Sequence, residues 1–206
     1  MPRMDLTTSG TFAGLTIASR LQRTTAGQIG HGVTLSAATA GTVASYDAGP
    51  PEQWTLNLPG HDLASNDIVD VYWDGGRRYG VKVVGVAGDD VTVEDGADAG
   101  GDSIPTALGT AVTVAEQQLI DTDFDGDLVV AIGALCRARA HVGFFNSAGN
   151  LALSLDLAAE ELWQWLSGGS TTNPLAGETI DYVAVTQADS SATAEFRLGI
   201  LYDSTV

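Results

Sequence analysis

The chain is poor in cysteine, in lysine and in long apolar runs, and each shortage closes off a class of function. Its single cysteine, Cys136, excludes an intrachain disulfide framework and a zinc site built from thiolates. Cys136 lies in the apolar run LVVAIGALCRA, which reads as the setting of a small buried thiol rather than of a reactive nucleophile. No stretch approaches the roughly 20 apolar residues of a membrane span. The opening residues, MPRMDLTTSGTFAGL, lack an apolar core of secretory-signal length, and Asp5 interrupts them early. The expected setting is the cytosol of the cell that makes the chain, with exit by lysis or a dedicated route. Lys82 is the only lysine, and 9 basic residues face 26 acidic ones for a formal net charge of −17. A surface this negative repels phosphate backbones and anionic lipid, so nucleic acid and membrane are not expected as direct partners. The acidity also keeps many copies soluble before assembly and can draw in cations; adaptation to habitat accounts for it equally.

Catalytic signatures are missing as well. His31, His61 and His141 stand in unrelated contexts, none beside a serine or cysteine nucleophile motif. No glycine-rich phosphate loop with its lysine occurs, and no dinucleotide fingerprint follows a strand. Any chain with this many carboxylates offers pairs for a glycosidase-like site, so such pairs carry little weight. The sequence predicts a protein that is not an enzyme.

What is present is alternation with a period of two. DIVDVYWD sets Val69, Val71 and Trp73 on one face and Ile68, Asp70 and Tyr72 on the other. NLALSLDL points Leu151, Leu153, Leu155 and Leu157 one way, and Ala152, Ser154 and Asp156 the other. AEFRLGILYD alternates Phe196, Leu198, Ile200 and Tyr202 against Arg197, Gly199 and Leu201. Strands with one buried face read this way. Turn residues separate the runs: Asp74-Gly75-Gly76, Gly88-Asp89 and Ser147-Ala148-Gly149 each predict a hairpin, because glycine tolerates the positive φ of tight turns.

The expected fold is therefore all-β, with two small β-sandwich or barrel domains and at most one short helix. The single helix candidate is LAAEELWQWLSGG, where Leu162, Trp163 and Leu166 have helical spacing before a glycine stop; a wide loop fits the same residues. DGADAGGDSIPTALG, from Asp95 to Gly109, reads as a long flexible loop in which Asp95, Asp98 and Asp102 have no ligand-like spacing. A boundary is expected near Ala115-Glu116-Gln117. It divides the chain into an N-terminal arm over 1–14, a first β-domain over 15–115 and a second, sandwich-like domain over 118–206.

One stretch has the look of a metal site. In DTDFDGDLVVAI, Asp121, Asp123 and Asp125 fall on positions 1, 3 and 5 of a calcium loop, with Gly126 at the sharp turn and Leu128 at the apolar eighth position. Alternate carboxylates converge there on a hard cation. The twelfth position is Ile132, where the bidentate glutamate should complete the coordination sphere, and the exit reads as a buried strand rather than a helix. A structural Ca2+ held with help from Asp127 or a distant carboxylate and a solvated acidic turn both remain open; no other cofactor is expected.

GQIGHGVTLSAATAGTVASY, DIVDVYWDGGRRYGVKVVGVAGDDVTVEDG and LGILYDS together resemble the structural proteins of tailed-bacteriophage virions, those that accompany the capsid as decoration, cement or accessory head proteins. The resemblance rests on β-hairpin phrases spread over much of the chain and implies no catalytic residues. It implies a location in the virion, the major capsid protein or other virion subunits as partners, and a homo-oligomer, with a trimer favoured at three-fold positions. An arm such as MPRMDLTTSGTFAGL would then order on a neighbouring subunit. Two other roles suit the same residues. One is a carbohydrate- or receptor-binding β-module of a fibre or adhesin, with Trp54, Trp73, Trp163 and Trp165 as stacking residues. The other is a tail-tube or neck subunit.

Overall fold

The computed structural model describes residues 11–12, 15–16, 27–121, 128–146, 148–166, 174–175 and 180–203. Its strands are β1 (Thr11–Phe12), β2 (Leu15–Thr16), β3 (Gly27–Leu35), β4 (Thr39–Asp47), β5 (Gln53–Asn57), β6 (Ile68–Trp73), β7 (Gly76–Ala87) and β8 (Asp90–Gly101). There follow β9 (Ala111–Glu116), β10 (Gln118–Asp121), β11 (Leu128–Cys136), β12 (Ala140–Phe145), β13 (Leu151–Leu157), β14 (Leu162–Leu166), β15 (Tyr182–Gln187) and β16 (Ala194–Asp203). The fold is all-β, and no helix among the described residues is long and apolar enough to cross a membrane.

Two compact units divide the chain, and they are not consecutive stretches of it. One gathers Met1–Thr34, Leu119–Ala184 and Glu195–Val206; the other gathers Leu35–Gln118 and Val185–Ala194. The passage from Gln118 to Leu119 falls close to the boundary expected near Gln117. The linear split into 15–115 and 118–206 does not describe the rest. β3 is a neighbour of β16 in one sheet, and Val185–Ala194 return to the unit built mainly from Leu35–Gln118. Of the arm expected over 1–14, only the short antiparallel pairing of β1 with β2 touches described residues.

The Leu35–Gln118 unit is a closed barrel in the order β4-β5-β8-β7-β6-β9, with β9 pairing back on β4 to complete it. Every neighbouring pair is antiparallel. The expected hairpins are present: Gly75 takes φ 84° between β6 and β7, and Gly88 takes φ 65° between β7 and β8. Inward-facing valines, Leu56 and Leu58 fill the interior, with Trp54 buried among them and Tyr46 and Trp73 packed against the cluster. Such alternation buries one face of each strand, and burial of these side chains is the main favourable term in the fold.

Two sequence expectations give way here. β8 runs through Asp95 and on to Gly101, so the expected loop starts late. Arg78 holds Asp95 in place: its Nε donates to Oδ1 at 2.9 Å and its Nη2 to Oδ2 at 2.5 Å. That forked pair raises the guanidinium pKa, the hydrogen bond to Asp95 being its largest cause. The other face of β6, expected to meet solvent, is buried at Asp70 and Tyr72.

The other unit contains two four-stranded sheets, β10-β15-β12-β13 and β14-β11-β16-β3. β12 is buried at all six positions, and its partner β13 buries Leu155 and Leu157. β11 and β16 contribute Ile132, Ala134, Cys136, Phe196, Leu198 and Ile200, and burial pushes the Cys136 thiol pKa up. The helix candidate is a strand. β14 pairs antiparallel with β11, placing Leu162 outward and Trp165 inward, so the tryptophans obey a period of two. The hairpin between β12 and β13 turns with Gly149 at φ 78°, and Asn146 Oδ1 accepts from the Ala148 and Asn150 amides.

Candidate functional site

The three carboxylates of the calcium-like loop fall at the edge of the described residues or beyond them. Asp121 closes β10, while its side chain, Asp123 and Asp125 lie outside the described residues. Among the described residues no group of three or more His, Cys, Asp or Glu side chains is placed to hold a metal ion. The stacking candidates differ in exposure. Trp54 and Trp165 are core residues with buried indole Nε1 atoms, which removes two of the four from any sugar platform.

The histidines occupy different settings. His61 Nδ1 accepts from the Leu63 amide at 3.1 Å and its Nε2 lies 2.9 Å from Gly88 O, so the ring ties its loop to the β7–β8 turn. His141 is buried on β12 with Nε2 3.0 Å from Ser154 Oγ, and His31 sits half-buried on β3.

Within the barrel unit there is a cavity of about 90 Å³ lined by Ser36, Thr39, Asp62, Glu116, Gln118 and Gln187 among others. Gln118 Nε2 donates to Ser36 Oγ at 3.2 Å, and its Oε1 is buried with no hydrogen-bond partner. The space suits a few waters, well below the roughly 300 Å³ at which ligand pockets begin. The Glu116 carboxyl pKa is raised, first by desolvation and then by the charges of Asp67 and Asp62. A carboxyl whose pKa rises on folding binds its proton more tightly in the folded chain. Ionising it therefore weakens the fold above that pKa, and the penalty fades as pH falls through it toward the unfolded value. Glu116→Gln should raise the thermal midpoint slightly at pH 7 and leave it unchanged at about pH 3.5, as scanning calorimetry at the two pH values would show.

The most completely satisfied polar cluster is one that the sequence concealed. Asp70 is fully buried on β6; its Oδ1 accepts from the Gly80 amide at 2.9 Å and from Gln117 Nε2 at 3.3 Å. Its Oδ2 accepts from Thr186 Oγ1 at 2.6 Å, and that hydroxyl also lies 2.6 Å from Tyr72 Oη. Gln187 Nε2 donates to the carbonyls of Ser36 and Asp189, fastening the same returning segment. These bonds bind Val185–Ala194 to the barrel, and each group faces another protein group. Buried polar groups paired in this way hold one arrangement of the chain.

The two units differ in their edges. The barrel closes on itself, whereas among the described strands the sheets of the other unit end in β10 and β13, and in β14 and β3. A terminal strand presents a row of backbone donors and acceptors to whatever can pair with it. No family model matches the chain, and neither the curated proteins nor the solved structures include a significant match to it.

Proposed function

We propose that the chain is a non-enzymatic structural subunit of a tailed-phage virion, holding neighbouring capsid subunits together as a decoration or cement protein. The observation that supports this reading is the contrast between a sealed barrel and a second unit whose two sheets, among the described strands, end in unclosed edges. Strand addition at such edges links subunits through backbone hydrogen bonds and requires no reactive side chains. An excess of acid on the outer faces would limit clumping of particles that carry many copies.

Mass spectrometry of purified particles, followed by cryo-microscopy of the head, tests the proposal. The chain should appear in fixed stoichiometry with the major capsid protein and occupy repeated positions on the shell. Its absence from washed particles would sink the reading, and density confined to the tail would move the chain to a tube or neck role.

A further inference from the structure

We infer that β3 is a self-association edge, at which a second copy of this chain adds its own β3 antiparallel across a two-fold axis and joins two four-stranded sheets into one. Among the described strands β3 ends its sheet, with β16 as its strand neighbour. Its sequence, GQIGHGVTL, holds no lysine, aspartate, glutamate or proline, the residues that ordinarily guard an edge against pairing. Side chains alternate along it. His31 and Val33 are half-buried and Leu35 is buried, while Gly30, Gly32 and Thr34 are exposed on the opposite face. A Cβ added at Gly32 would meet no heavy atom within 4 Å, so packing inside the monomer does not require glycine there. A flat row of small residues is what a second backbone needs for close approach.

Charge selects the occupant. The chain carries a formal net charge of −17, yet between Asp5 and Asp47 it has no acidic residue at all. The other terminal strands carry or adjoin acid: Asp121 ends β10, exposed Asp156 lies on β13, and exposed Glu160 and Glu161 immediately precede β14. Bringing two copies together at those edges opposes carboxylates, whereas β3 against β3 opposes none. Like-on-like pairing is isologous and closes at two copies, in contrast to the three-fold arrangement that the virion resemblance implies. Repulsion between the two acidic bodies remains, so added salt should strengthen the contact rather than weaken it.

Sedimentation velocity on the full chain at about 100 µM decides the matter, since self-association follows mass action. The wild-type protein should sediment as a dimer, with a larger dimer fraction in about 0.5 M than in about 0.05 M salt. Gly32→Glu places like charges across the axis and should weaken association about tenfold or more, while the thermal midpoint measured on protein dilute enough to be monomeric stays unchanged; Gly32→Ser should still dimerise. Thr34→Glu, on the same exposed row, supplies the second disruptive variant should Gly32→Glu unfold. A wild-type monomer at that concentration, a trimer, or a dimer that survives both glutamate variants overturns the inference. This outcome is independent of the virion reading, which stands or falls on particle composition.

Discussion

Asp70→Ala should destabilise the barrel unit by about 3–5 kcal/mol, among the largest losses open to a single substitution here. The carboxylate is fully buried and accepts from the Gly80 amide, Gln117 Nε2 and Thr186 Oγ1. Truncation leaves those donors in a dry interior without their acceptor, and an unmade buried hydrogen bond costs more than a made one contributes. Asp70→Asn should lose markedly less. An amide oxygen can accept from Gly80 and Gln117 while the amide nitrogen donates to Thr186 Oγ1, whose own proton then turns toward Tyr72 Oη. Urea unfolding followed by tryptophan fluorescence gives the measurement, because Trp54 lies buried in the same unit. A midpoint for Asp70→Ala within error of the wild type would show that the cluster does not fasten Val185–Ala194.

Phe144→Ala should cost the other unit about 3–5 kcal/mol. Phe144 is fully buried on β12, opposite Leu153 of β13, in a strand buried along its whole length. Large-to-small substitution there loses the transfer energy of a ring and leaves a hole that surrounding strands cannot collapse into without breaking their pairing. Phe144→Leu should retain more than half of that stability, since most of the volume is kept. Trp165, buried on β14 of this unit, contributes to the emission that would report the loss, and near-ultraviolet circular dichroism would give an independent midpoint. An alanine variant as stable as the parent would mean that β12 does not lie in a close-packed interior.

The strands and tight turns were legible because their causes are local. Alternation at Phe196, Leu198 and Ile200 and positive φ at Gly75, Gly88 and Gly149 need only neighbouring residues. The failures are equally instructive. Leu162, Trp163 and Leu166 have helical spacing, but pairing with β11 imposes a period of two on them. Asp95 lies in a glycine-rich acidic run that resembles a loop until Arg78, distant in sequence, grips its carboxylate and carries β8 onward. Asp70 and Tyr72 read as a wet face because nothing nearby in sequence announces that Thr186 will cover them. The candidate metal loop was legible as a spacing, but a spacing does not determine where the missing oxygens would come from. Acid-free β3 was plain in the sequence as a stretch without charge; only its place at the end of a sheet gives that neutrality a use.

The interleaved course of the chain also bears on how a ribosome would deliver it. All six barrel strands have emerged once Glu116 is clear of the exit tunnel, so that module can close while translation continues and needs only Val185–Ala194 for its final seam. β3 appears before any of them but must wait for β16, whose first residue is Ala194, and in that interval its bare backbone is available to the same strand on a neighbouring nascent chain. Polysomes are therefore where the earliest pairing between copies would begin.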